Sequence, residues 1–172
     1  MRVDPLRNPE PLIQRVYAYA AYRLGDGPEA EDATSDTFER ALRYRSSYDE
    51  RKGPPVAWLI GIARRCVDDT LAGRLPTHEP EERAVDLDLE GETVNRLDVA
   101  AAVAELDERD RELIALRYGA DLKASQIAEL LELKTNAVEV ALHRALKRLR
   151  ERLEPGEPEE PSQEPVPGPV RI

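Results

Sequence analysis

Residues 124–153 read ASQIAELLELKTNAVEVALHRALKRLRERL, and this stretch decides the fold. Its apolar residues recur at spacings of three and four in two blocks, residues 124–131 and 135–153. That is the period of an amphipathic helix. The inward positions of the longer block are Val138, Ala141, Leu142, Ala145 and Leu149. Only Glu132, Leu133 and Lys134 separate the blocks, so two helices must meet across a tight turn, and small Ala128 lies where they would cross. Short helix, turn and long helix is the helix-turn-helix pattern, in which the second helix enters a DNA major groove. The long helix also carries Arg144, Lys147, Arg148, Arg150 and Arg152 beside His143, a ridge of five cations in ten residues. Such a ridge pairs with phosphates, or offsets the helix dipole at its C-terminus, and the preceding turn motif favours phosphates.

Upstream, Val94, Leu97, Ala101 and Leu106 predict one helix and Asp107 caps another, whose expected inward face is Leu113, Ile114 and Tyr118 before Gly119. These elements make residues 94–153 one small helical domain. Residues 1–75 predict a second bundle. Its first helix buries Ile13, Val16, Tyr17, Ala20 and Leu24 and stops at Gly25; its second starts at Pro28 and buries Ala30, Ala33, Thr37, Phe38, Ala41 and Leu42. A third follows Pro54 and Pro55 with Val56, Leu59, Ile60, Ala63, Val67 and Leu71 inward, after a polar loop from Ser46 to Gly53. No stretch alternates with period two, so the fold is all-α, two small bundles.

Between the bundles, residues 76–93 carry seven acids, and Pro76 and Pro80 break any helix, which predicts a flexible acidic linker. Residues 154–172 are rich in Pro and Glu and predict a disordered tail. The chain carries a formal charge of −10, from 25 basic and 35 acidic residues, so it is no uniformly basic coat for nucleic acid. The whole deficit sits in the linker and tail, because the two bundles balance acids with bases.

Enzyme chemistry finds little support. His78 and His143 form no metal-ligand pattern with Cys66, the single cysteine, so no metal or cofactor is expected. Cys66 reads as a small buried hydrophobe. Asp68 and Asp69 are adjacent on a helix, point about 100° apart and cannot share one site. The glycines are scattered, with no phosphate-binding loop. Without an apolar leader or membrane span the chain reads as cytosolic. In the first bundle, Arg64 and Arg65 lie near Trp58 and the loop tyrosines Tyr44 and Tyr48, which joins cations to the stacking faces that single-stranded DNA requires.

Four segments then match a known pattern: EAEDATSDTFERALR (29–43), WLIGIARRCVDD (58–69), LDERDRELIALRY (106–118), and IAELL (127–131) continuing through HRA (143–145). In this order and spacing they resemble the extracytoplasmic-function sigma factors of bacterial RNA polymerase, over residues 12 to about 153. The resemblance implies a non-enzymatic sigma factor whose partners are core RNA polymerase and promoter DNA, with an anti-sigma factor as a candidate third. It implies that Asp32, Asp36, Phe38, Glu39 and Arg40 dock on the clamp helices of the polymerase largest subunit. It implies that Tyr48, Arg51, Lys52, Trp58, Arg64 and Arg65 serve the minus-ten element. The minus-thirty-five element would fall to Lys134, Thr135, Asn136, Glu139, Val140, His143, Arg144 and Lys147.

The chain also departs from that pattern. Arg65 stands where the family usually has Asn, and Thr70 to Gly73 replaces a basic cluster, leaving Arg74 alone. Glu139, Val140 and Ala141 occupy a Lys-Ser-Arg stretch, and Glu132 replaces the turn glycine. Glu139 could accept from a cytosine amino group and Val140 could meet a thymine methyl. Two other readings stay open: a plain helix-turn-helix regulator, which leaves the first bundle unused, and a sigma-like interaction module that has lost promoter reading.

Overall fold

The computed structural model describes residues 3–74 and 96–154, with side chains from residue 99 onward in the second part. The expected linker, 76–93, and all but Glu154 of the expected tail, 154–172, lie outside the described residues. Within them the chain is helical, with no strand. The first bundle contains α1 (Pro9–Leu24), α2 (Pro28–Arg43) and α3 (Pro55–Gly73). The second contains α4 (Arg96–Ala104), α5 (Glu108–Ile114), α6 (Ala124–Leu131) and α7 (Thr135–Leu153).

Local chemistry explains the boundaries. Each helix of the first bundle begins with proline in its first turn, where the missing N–H has no helical acceptor to lose. Between α1 and α2 the chain reverses through Gly25 (φ 88°) and Gly27 (φ 142°), conformations that a Cβ would oppose. The Asp107 carboxylate caps α5 by accepting from the Asp110 N–H at 2.8 Å. At the start of α6 the Gln126 side chain accepts from the Lys123 N–H, also at 2.8 Å.

After α5 the helix widens into one π-helical turn, Ala115–Gly119, closed by the Ala120 N–H donating to the Ala115 carbonyl. Widening shifts the phase of the buried stripe, and this corrects one expectation: Ala115 and Leu116 are buried, whereas Tyr118 turns outward. Other assignments also change. In α2 the stripe centres on Ala30, Ala33, Thr34, Thr37 and Ala41, so Phe38 falls at its edge and Leu42 is 60% exposed. In α4 the buried face is Val99, Ala102 and Val103, and Ala101 points to solvent.

The largest change concerns α1. Ile13 is exposed and Tyr17 only half-buried, yet every residue from Tyr19 to Leu24 is buried. A stripe facing one bundle cannot bury consecutive residues. Helix α1 does so because α2 and α3 cover one side while α5 and the π turn pack on the other. The contact is close: a Cβ on Gly119 would stand 2.9 Å from the Tyr19 nitrogen and 3.0 Å from the carbonyl atoms of Ala18. Arg15 reaches over the same junction, donating to the carbonyls of Ala120 (2.7 Å) and Asp121 (2.8 Å).

Candidate nucleic-acid interface

Helices α6 and α7 form the helix-turn-helix with the boundaries that their periodicity predicts. Ile127, Ala128, Val138, Leu142, Ala145 and Leu149 are buried between them and the neighbouring helices. The turn bends at Glu132, which takes the left-handed conformation (φ 56°, ψ 40°), and the Leu133 N–H closes α6 on the Ala128 carbonyl at 2.8 Å. This folding leaves Lys134, Thr135, Asn136, Glu139, Val140, His143, Arg144 and Lys147 exposed together on α7 and its entrance. The surface offers donors, an acid, a methyl-bearing side chain and cations, a mixture suited to base edges flanked by phosphates. Part of the basic ridge is engaged internally. Arg148 pairs with the buried Asp110 carboxylate at 2.5 Å and Arg152 with Glu105 at 3.4 Å.

The second candidate surface is the polar loop after α2. Two 3-10 turns, Arg45–Ser47 and Glu50–Lys52, shape it. Asp49 accepts from the Arg51 backbone (3.1 Å) and from its guanidinium (2.9 Å), which holds the Asp49 carboxyl down at about 2. Tyr48 donates from its hydroxyl to the Gly53 carbonyl at 3.0 Å and stands tilted against Trp58, ring centroids 5.6 Å apart. Desolvation, then the nearby Glu50 and Asp49, raises the Tyr48 phenol, so it stays a neutral donor. These aromatics open onto a cleft of about 770 Å³, also lined by Tyr44, Lys52 and Arg65 and walled across from them by Gln126, Glu129 and Leu130 of α6.

The cleft therefore gathers Tyr48, Lys52, Trp58 and Arg65 of the expected minus-ten group. Arg51 is pinned to Asp49. Arg64 does not line the cleft: its Nε donates to Glu112 of the second bundle at 2.6 Å. Sequence periodicity could not anticipate this, since the partner lies 48 residues away. Arg15, Arg23, Glu108, Glu112 and Gly119 are likewise junction residues that sequence reasoning missed. The one available signal was Arg23, a cation inside an otherwise apolar helix face.

The third surface is the outer face of α2. Asp32, Asp36 and Glu39 are exposed, Phe38 is half-buried, and Arg40 donates to Asp69 at 3.1 Å. Asp68 instead approaches Arg23 at 3.3 Å, so the adjacent carboxylates serve different partners. Cys66 is buried, and desolvation raises its thiol above the ordinary value, which keeps it protonated. Among the described residues no cluster of side chains could hold a metal ion, and no helix is long and apolar enough to cross a membrane.

Comparison with known proteins agrees with this layout. Residues 10–74 match the family described as Sigma-70 region 2, and residues 96–149 match Sigma-70, region 4. The ECF RNA polymerase sigma factor BldN of Streptomyces coelicolor is 30% identical over 145 residues, 78% of this chain. The chain spans only about half of that relative's length, 54%. SigK of Mycobacterium ulcerans, also an ECF RNA polymerase sigma factor, is 27% identical over 79% of this chain and 78% of its own. The fold is shared with the sigma factor RpoE of Bartonella quintana, solved with the anti-sigma factor NepR (TM-score 0.69, 22% identity, 84% of this chain and 92% of that one). It is also shared with CnrH, solved with the cytosolic domain of CnrY (TM-score 0.58, 23% identity, 86% and 82%). Two regions of one family, in order and together spanning more than two thirds of the sequence, show that this chain belongs to the sigma-70 family, among its extracytoplasmic-function members.

Proposed function

We propose that the protein is an alternative sigma factor that binds core RNA polymerase, directs it to a restricted set of promoters and itself catalyses nothing. The observation that carries this reading is the pairing, within one chain, of a region-2 bundle bearing an aromatic and cationic cleft with a region-4 helix-turn-helix. In this reading Asp32, Asp36, Phe38, Glu39 and Arg40 present the polymerase-docking face, acidic at its rim and apolar at its centre. Tyr48, Trp58 and Lys52 receive an unstacked base and its phosphate, with Arg65 at the position where the family usually carries Asn. Holding a melted base against aromatic faces offsets the few kcal/mol that unstacking costs, roughly 1–3 kcal/mol per stacked base. Helix α7 reads the upstream duplex through Thr135, Asn136, Glu139 and Val140, while Lys134, His143, Arg144 and Lys147 hold the flanking backbone.

The protein would work in the cytoplasm, where the polymerase is. An anti-sigma factor is a fitting further partner, given that the structurally similar RpoE was solved with the anti-sigma factor NepR. Run-off transcription with core polymerase and genomic promoter fragments tests the proposal. Transcripts that begin at discrete sites only when the chain is added are expected. Polymerase binding without transcripts would instead favour a sigma-like interaction module, a reading that exposed Glu139 on the recognition helix favours, and duplex binding without polymerase binding would favour a plain regulator.

A further inference from the structure

Helix α7 divides its cations by direction. Arg148 and Arg152 face the second bundle, where Asp110 and Glu105 hold them. Asn136, Val140, His143, Lys147 and Arg150 recur at spacings of three and four on the opposite side, away from the buried Val138, Leu142, Ala145 and Leu149. All of this strip is exposed, and Arg144 flanks it. Among the described residues Arg144, Lys147 and Arg150 make no ion pair; Glu139 and Glu151, the acids on this side of the helix, are not in contact with them. The face that reads duplex in the proposed function is therefore also a strip of cations without counter-charges.

The sequence that follows α7 carries the complementary charge. Residues 155–172, which lie outside the described residues, hold Glu157, Glu159, Glu160 and Glu164 against Arg171 alone. Helix α7 leaves through Glu154 in extended backbone (φ −73°, ψ 118°), the conformation that a following proline favours. Glu154-Pro155-Gly156-Glu157 then puts proline and glycine at the two central positions of a type II turn, a pattern that reverses a chain. Once reversed, a proline-rich segment advances about 3.1 Å per residue against about 1.5 Å in the helix, so each tail residue passes about two of α7. Counted back from the turn, Glu159 and Glu160 come level with Arg150 and Lys147, and Glu164 comes level with Val140, within a side chain's reach of Arg144. We propose that this acidic tail lies back along the exposed face of α7, its glutamates on the cations that would otherwise meet DNA phosphates, so that duplex must displace it. Tethering within a few residues of Arg150 gives the tail a local concentration in the millimolar range. The other acidic segment, 76–93, is tied at both ends, and Arg74 at its entry is held by Glu29 and by the Leu24 carbonyl of the first bundle. The docking rests on α7 and the tail alone; the competition with DNA rests on the proposed function.

The probe is the full-length chain with Glu157→Gln, Glu159→Gln, Glu160→Gln and Glu164→Gln combined, which removes the charge and keeps the length. Nuclear magnetic resonance without DNA or polymerase tests the docking. The variant should keep wild-type helicity and shift the backbone amides of Arg144 and Lys147 and the guanidinium N–H groups of Arg144 and Arg150, while α2 stays in place. Raising salt to about 0.5 M should carry the same wild-type signals toward the variant's, because exposed pairs are screened. Shifts confined to the tail and to residues after Arg150 would overturn the docking. If the α7 signals answer instead to neutralising the acids of 76–93, that segment is the occupant and the proposal falls. Anisotropy of a labelled duplex of random sequence tests the competition. The variant should bind about five- to tenfold more tightly than wild type at about 50 mM salt, the worth of about three exposed ion pairs, and the two should converge as salt rises. Equal affinity at low salt overturns the competition. Tighter binding with unmoved α7 signals means that the tail repels DNA without touching the helix, and overturns the docking. If neither form binds duplex, the competition falls, and run-off transcription shows whether the proposed function falls with it, while the α7 signals still decide the docking.

Discussion

Glu132 sets the angle at which the recognition helix leaves α6, and it does so in a conformation that side chains oppose. At φ 56° and ψ 40° its Cβ crowds the neighbouring carbonyl, which costs an L-residue roughly 1–2 kcal/mol. Glu132→Gly removes that cost but restores freedom to the unfolded chain, worth about 0.4–1 kcal/mol in the opposite sense. The side chain is exposed, so nothing comparable in packing is lost. The expected net is a stabilisation of about 0.5–1 kcal/mol, or a rise in Tm of about 2–4 °C for a body of this size. Urea denaturation followed by far-ultraviolet circular dichroism measures it as a higher midpoint with unchanged slope. Glu132→Ala is the control, because it deletes the same side chain and keeps the left-handed penalty; its midpoint should stay with wild type. A Gly variant no more stable than the Ala variant would refute the assignment of strain to this turn.

Three further outcomes follow from the surfaces. Charge reversal at Asp36 or Glu39 should weaken association with core polymerase on gel filtration while leaving helicity intact, because both side chains are exposed on α2. In nuclear magnetic resonance titration the Asp49 carboxyl should ionise with a midpoint of about 2, and Arg51→Ala should return it toward 3.8. Its value is lowered by folding, so its hold on the loop is complete above the ordinary carboxylate range and is lost as pH falls through about 2. Glu139→Ala should relax base preference at one upstream position by about 1–3 kcal/mol in a promoter library selected with holoenzyme; identical preferences would remove Glu139 from the reading surface.

What the sequence made legible was whatever depends on neighbours a few residues apart. The 3.6-residue period located the helices, and Ala128 with the three-residue turn located the helix-turn-helix to the residue. The Asp107 cap and the prolines that open α2 and α3 were legible for the same reason. The cleft was half legible: Tyr48 and Trp58 announce a stacking surface, but its far wall comes from α6, about 70 residues away. Long-range packing decided the rest. Nothing in the spacing of Tyr19 and Arg23 says that a second bundle covers them, because periodicity reports that a face is apolar and not how many faces a helix will bury. The π turn was hidden for a related reason, since one added residue per turn moves Tyr118 out of the stripe without changing composition.

The same distinction governs how strongly α7 should hold DNA. Counted along the sequence, the final helix and its entrance carry Lys134, Arg144, Lys147, Arg148, Arg150 and Arg152, and six phosphate contacts would give a salt slope near −5.4 at about −0.9 per contact. The fold engages Arg148 with Asp110 and Arg152 with Glu105, which leaves four. The expected slope for the upstream element is then about −3.6, a shallower dependence that fits a protein which relies on polymerase for most of its affinity. Arg144→Ala should flatten the slope by about one and weaken every promoter alike. Arg148→Ala should leave the slope unchanged and lower stability instead, because it strips the buried Asp110 carboxylate of its partner. Filter binding of holoenzyme to upstream-element duplex across a salt series separates the two. A slope that flattens for Arg148→Ala as much as for Arg144→Ala would mean that the Asp110 pair opens on DNA, and that the whole ridge meets the backbone.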